Sequence, residues 1–218
     1  MFKTIDEIGK RYRFSTTLPI IGDEEGLGLT SYQDASEHTA KRILEKLGSV
    51  SVLELCSGVG GTTVFLAKKL HHVYAVDMKP TRIEAAKINS QTFGVAEKVT
   101  FVCGDVLDEK LLSNFKDKYI KAVVTDVEWR DDLSHSLAET TPDIAKTIPS
   151  TPPLFEKINK LVCSDIIMHM AANTNKEQLQ QLGRCEIEEM IYQGVVKFLN
   201  VYFGKLKNTV GVTRFVMS

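Results

Sequence analysis

Val50-Ser51-Val52-Leu53-Glu54-Leu55-Cys56-Ser57-Gly58-Val59-Gly60-Gly61-Thr62-Thr63 decides the fold. Val52, Leu53 and Leu55 make a short apolar run that reads as a buried strand, with Glu54 near its carboxyl end. Gly58, Gly60 and Gly61 let the backbone turn tightly and approach a ligand with no Cβ in the way. Val64, Phe65, Leu66, Ala67 and Leu70 follow at helical spacing. Open α/β sheets bind ligands outside the carboxyl ends of their strands, where this turn falls. The next strand, His72-Val73-Tyr74-Ala75-Val76-Asp77, ends in a carboxylate at the spacing where a ribose hydroxyl pair is held.

The alternation continues outward. Pro80 fits the first turn of a helix over 80–92, which Gly94 ends. A third strand over 98–103 leads to Gly104-Asp105, a short helix lies near 108–115, and a fourth strand from Ile120 to Thr125 leads to Asp126. Repeated βα units with apolar strands predict an α/β fold: a mostly parallel, seven-stranded sheet with helices on both faces. Residues 130–153 are polar and carry prolines, which predicts an irregular active-site loop and a helix start. The apolar run Leu161 to Met170 predicts strand five, and Asn173-Thr174-Asn175 a cap for a helix from Lys176 to Leu182. Cys185 to Tyr192 and Val195 to Phe203 flank Gln193-Gly194, an antiparallel C-terminal hairpin, and Thr209 to Ser218 offers a last strand.

Upstream, Asp34-Ala35-Ser36-Glu37 has the form of a capping box for a helix running to about Leu47, with Gly48 as its stop. The glycines of Ile21 to Leu29 predict a mobile loop. Lys10-Arg11-Tyr12-Arg13-Phe14 alternates basic and aromatic residues, as a phosphate-binding stretch, a surface strand or a lid would. The expected division is an N-terminal lead and helix over the active site, 1–48, and one compact catalytic domain, 49–218.

A chain of 218 residues suits one sizeable core. With 27 Lys and Arg against 28 Asp and Glu, no global field pulls on nucleic acid, so any RNA contact comes from local patches. No run is long enough to span a membrane, and the N-terminus lacks the apolar core of a signal peptide. Cys56, Cys103, Cys163 and Cys185 are too far apart for a metal finger and predict buried free thiols in a cytoplasmic protein. The five histidines form no ligand pattern, and no metal is expected.

Four strand ends carry the chemistry. A nicotinamide site wants a third glycine where Thr63 stands. S-adenosylmethionine (SAM) fits better. Glu54 can accept from its amino group, Gly58, Gly60 and Gly61 leave room for the methionine part, Asp77 can hold both ribose hydroxyls, and Asp105 can accept from the adenine amine. Ser57, Thr62, Met78 and Val106 flank these positions and are assigned to the same site, as is Asp126. Thr125-Asp126-Val127-Glu128-Trp129 is expected to face the methyl group. Methylating an amine needs an acceptor that orients the NH2 and a flat surface that stacks the base. Asp126 supplies the first and Trp129 the second, with Glu128 grouped beside them.

The chain resembles the trimethylguanosine synthases, RNA cap guanine-N2 methyltransferases. The resemblance lies in Arg11-Tyr12-Arg13-Phe14-Ser15, Glu24-Glu25-Gly26-Leu27, Gly58-Val59-Gly60-Gly61, Gly94 to Val99 with Cys103-Gly104-Asp105, Asn173-Thr174-Asn175, Glu186-Ile187-Glu188 and Val201-Tyr202-Phe203-Gly204. It implies a Rossmann-like class I methyltransferase fold, SAM as cofactor and the exocyclic N2 of guanosine in RNA as acceptor. One motif departs. Where the family has Ser-Pro-Pro-Trp and then Gly-Gly-Pro, this chain has Asp126-Val127-Glu128-Trp129 and Arg130-Asp131-Asp132. The tryptophan is kept, the stiffening prolines are lost and acids enter. Two other readings stand beside this one: SAM-dependent methylation of a small-molecule or protein amine, and a SAM-binding module without catalysis.

Overall fold

Lys3–Thr4 (β1) pairs antiparallel with Ile21–Gly22 (β2) in the computed structural model, which describes residues 1–218. A short helix, α1 (Glu24–Leu29), and a longer one, α2 (Gln33–Leu47), follow. Then come β3 (Ser51–Leu55), α3 (Gly61–Lys69), β4 (His72–Asp77), α4 (Pro80–Thr92) and β5 (Val99–Cys103). These belong to the first of two compact units, Met1–Val106. Residues 1–48 lie within this first unit. β3, β4 and β5 lie in that order, all parallel. Val52 to Leu55 are buried, as a covered parallel strand requires.

The second unit is Leu107–Ser218. It contains α5 (Glu109–Ser113), β6 (Ile120–Asp126), α6 (Thr151–Leu161), β7 (Ile166–Ala171), α7 (Lys176–Leu182), β8 (Glu186–Tyr192), β9 (Val195–Tyr202) and β10 (Gly211–Val216). β6 and β7 are parallel, β9 runs antiparallel to both β7 and β8, and β10 joins β8 in parallel. The C-terminal hairpin is β8–β9, turned by Gln193 and Gly194, both at positive φ as a two-residue hairpin turn demands. Besides the β1–β2 pair the chain has eight strands, one more than the seven expected, because β10 adds to β8.

Four local expectations are corrected. The glycine-bearing segment 21–29 is no mobile loop. Asp23 caps α1 by accepting from Gly26 N, Arg82 of α4 and Lys79 just before it hold Glu25 at 2.7 and 2.8 Å, and Arg82 also reaches Asp23. The capping box does not form: α2 starts at Gln33 behind Tyr32, and Glu37 bonds Gln33 Nε2 instead. The run from Leu161 is not all strand. Leu154, Ile158 and Leu161 follow the four- and three-residue spacing of α6, and β7 begins only at Ile166. All four cysteines are free thiols, but Cys103 is exposed rather than buried, while burial pushes the Cys163 thiol up to about 11.

A buried asparagine that no sequence motif marks fastens the first unit. Asn89 Nδ2 donates to the carbonyls of Val59 and Ile21, and its Oδ1 accepts from Ile21 N, each within 2.9 Å. Asn89→Ala leaves those backbone groups unpaired and is expected to cost about 3 kcal/mol, read from denaturant unfolding.

Candidate methyl-donor and acceptor sites

In the first unit the ends of β3, β4 and β5 are tied together by Asp77. Its carboxylate accepts from Gly58 N at 2.8 Å and from Lys79 N at 2.9 Å. Its carbonyl accepts from Gly104 N, and Ser57 N bonds the Val76 carbonyl, both at 3.0 Å. One buried acid therefore splints the glycine turn, starts α4 and holds the β5 end. The turn needs its glycines. Gly58 and Gly60 lie at positive φ, and a Cβ on Gly61 would meet Thr30 Cγ2 at 2.2 Å. Gly58 has nothing within 4 Å of where a Cβ would stand, so the turn leaves space on that side.

The other expected donor-site residues divide by surroundings. Glu54 is buried, and Ser57 Oγ is buried without a hydrogen-bond partner. A buried hydroxyl left unpaired costs free energy that a ligand group can recover. Thr62 shares a 3.1 Å hydroxyl bond with Ser36 of α2, which gives it a structural partner. Met78 and Asp105 are exposed, while Val106 is buried. These are surroundings into which SAM fits: an open glycine turn, an orphaned hydroxyl and carboxylates at successive strand ends.

The basic-aromatic stretch does not offer its guanidinium groups to phosphate. Arg11 pairs with Asp6 and donates to the carbonyls of Thr16 and Leu18, and Asp6 in turn holds its guanidinium above the usual arginine range. Arg13 donates to the carbonyls of Gly28 and Thr30 and lies over the Tyr32 ring. Phe14 is buried. This segment ties the lead to the glycine-bearing helix.

In the second unit β6 ends at Asp126, which is half-buried. His169 of β7 is its register partner, with Nδ1 3.5 Å from Asp126 Oδ2. Trp129 is half-buried, donates from Nε1 to the His169 carbonyl at 3.2 Å and stacks near Phe198 at 6.1 Å. Glu128 is not presented to an acceptor. Its carboxylate pairs with buried Arg130 at 2.7 Å, and its backbone bridges Ile148. Arg130 also donates to the carbonyls of Leu133 and His135, and Thr141 N bonds the Trp129 carbonyl. The segment without prolines is thus stiffened by a buried arginine. Sequence reasoning missed His169 and Arg130, which neighbour the candidate acceptor residues Asp126 and Trp129, and Asn89, which holds the backbone of the glycine turn at Val59. Only Arg130, an arginine between acids beside the tryptophan, left a trace.

A family model described as RNA cap guanine-N2 methyltransferase matches residues 49–206. An uncharacterised RNA methyltransferase of Staphylococcus aureus is 32% identical over 103 residues, 44% of this chain and 22% of that protein. One from Halalkalibacterium halodurans is 35% identical over 81 residues, 37% of this chain and 17% of that protein. The chain therefore spans about a fifth of the length of these curated relatives. Among solved structures, a candidate methyltransferase from Porphyromonas gingivalis matches with a TM-score of 0.67 at 19% identity, over 85% of this chain and 43% of that one. An O-methyltransferase from Bacillus cereus matches with a TM-score of 0.57 at 13% identity, over 92% of this chain and 90% of that one. At these identities the likeness is one of fold, the Rossmann-like methyltransferase fold.

Proposed function

Because the chain belongs to the RNA cap guanine-N2 methyltransferase family, we propose that it methylates the exocyclic N2 of guanosine in RNA. The cofactor is SAM, which supplies a methyl group whose bond to sulfur breaks, the electron pair staying on sulfur, as the acceptor nitrogen bonds the methyl carbon. Asp77 and the glycine turn bind and orient the donor, with Glu54 and Ser57 offering hydrogen-bond groups to its polar ends. Asp126 accepts an N–H of the exocyclic amine, aims the nitrogen lone pair and takes the proton that the amine loses. Trp129 stacks the base. Glu128 holds Arg130 and stiffens the segment that carries the tryptophan.

The observation that carries this reading is the pair Asp126 and Trp129, a carboxylate 3.5 Å from the His169 ring of β7 and an indole bonded to the carbonyl of the same residue. In-line transfer depends on positioning, which a carboxylate and an indole placed side by side supply. Amine acceptors other than RNA are favoured by one observation: Arg11 and Arg13 are spent on internal partners. Incubation with methyl-labelled SAM and RNA, then nucleoside analysis, tests the proposal. N2-methylguanosine is the expected product, and label in small amines but not in RNA sinks it.

A further inference from the structure

His169 has no exposed surface, and neither ring nitrogen has a hydrogen-bond partner. An imidazole always carries an N–H, and a buried donor left unpaired costs about 1–3 kcal/mol. A structural residue of an apolar strand gains nothing from that cost.

Its neighbours supply a reason. Nδ1 stands 3.5 Å from Asp126 Oδ2. That is longer than the roughly 2.7–3.2 Å of a formed N–H···O bond, and catalytic pairs commonly stand apart in this way until substrate closes them. The backbone carbonyl of the same residue accepts from Trp129 Nε1. Phe198 packs against both the His169 ring and the indole, at 5.8 and 6.1 Å. Both groups assigned to the acceptor therefore neighbour one residue, one beside its ring and one bonded to its carbonyl.

The register extends the row. His169 pairs with Asn200 of β9, and Asn200 with Glu188 of β8. Asn200 Nδ2 donates to Tyr202 Oη at 3.1 Å, and Tyr202 donates to Glu188 at 2.5 Å. These three are buried, as His169 is. The strand register thus sets His169 in a row of buried polar side chains that ends at Asp126.

We propose that His169 is a positioning residue whose Nδ1–H donates to Asp126, orienting that carboxylate and the neighbouring indole toward the acceptor amine. This rests on the acceptor roles given above to Asp126 and Trp129. Two readouts test it on the full chain. By NMR, without SAM, the His169 Nδ1–H is expected as an exchange-protected imidazole resonance that moves on Asp126→Asn. A His169 resonance indifferent to that change overturns the proposal, whether or not RNA is the acceptor, so the two can fail separately. In steady-state assays, His169→Phe is expected to lower kcat roughly tenfold while KM for the acceptor and SAM affinity stay within about twofold. His169→Asn, which returns a donor near Nδ1, is expected to recover most of that loss and also serves if the Phe variant does not fold. Equal losses in both variants, or a fall in SAM affinity in step with kcat, overturn it.

Discussion

Asp126→Asn is expected to lower methyl transfer by about a thousandfold while SAM affinity changes less than twofold. The amide keeps the shape and one acceptor oxygen but no longer takes the proton of the attacking amine. Losing a positioned general base costs about 10²–10⁴ in rate. The residue is half-buried at the end of β6, beside fully buried His169, so water replaces it poorly. Single-turnover rates together with SAM titration check the split. A variant that loses SAM binding and turnover in parallel assigns Asp126 to the donor instead.

Asp77→Ala is expected to weaken SAM binding about a hundredfold, a loss of about 2.7 kcal/mol. Two effects add. The ribose hydroxyls lose their charged acceptor, and Gly58 N and Lys79 N lose theirs, so the glycine turn relaxes. The same change is expected to lower the unfolding free energy by about 1–3 kcal/mol, because buried N–H groups are left unpaired. Calorimetric titration of the folded variant reads the first effect and denaturant unfolding the second. Unchanged SAM affinity in a folded variant removes Asp77 from the donor site.

What was legible in the chain followed from local signals. Short apolar runs ending in glycines or acids marked β3, β4 and β6, and Gln193-Gly194 marked the hairpin. Asp77 was legible as a strand-end acid, but its splinting of the Gly58 turn depends on tertiary approach and left no spacing to read. The segment 21–29 misled because its glycines argue for a loop, while the decision lies with Arg82 and Lys79, more than fifty residues away. The basic stretch misled for the same reason. Charge composition shows that Arg11 and Arg13 are present, not that internal carboxylates and carbonyls already hold them. His169 was hidden because one polar residue in an apolar strand has no periodicity of its own. Only the register that sets it against Asp126 and Asn200 gives it meaning.

The most direct test of guanosine N2 as the acceptor uses two RNAs of one sequence, one with guanosine and one with inosine in its place. Inosine lacks the exocyclic amine and is otherwise the same base. With methyl-labelled SAM, label is expected only in the guanosine RNA, recovered as N2-methylguanosine after digestion. Equal label in both RNAs, or none in either, contradicts it.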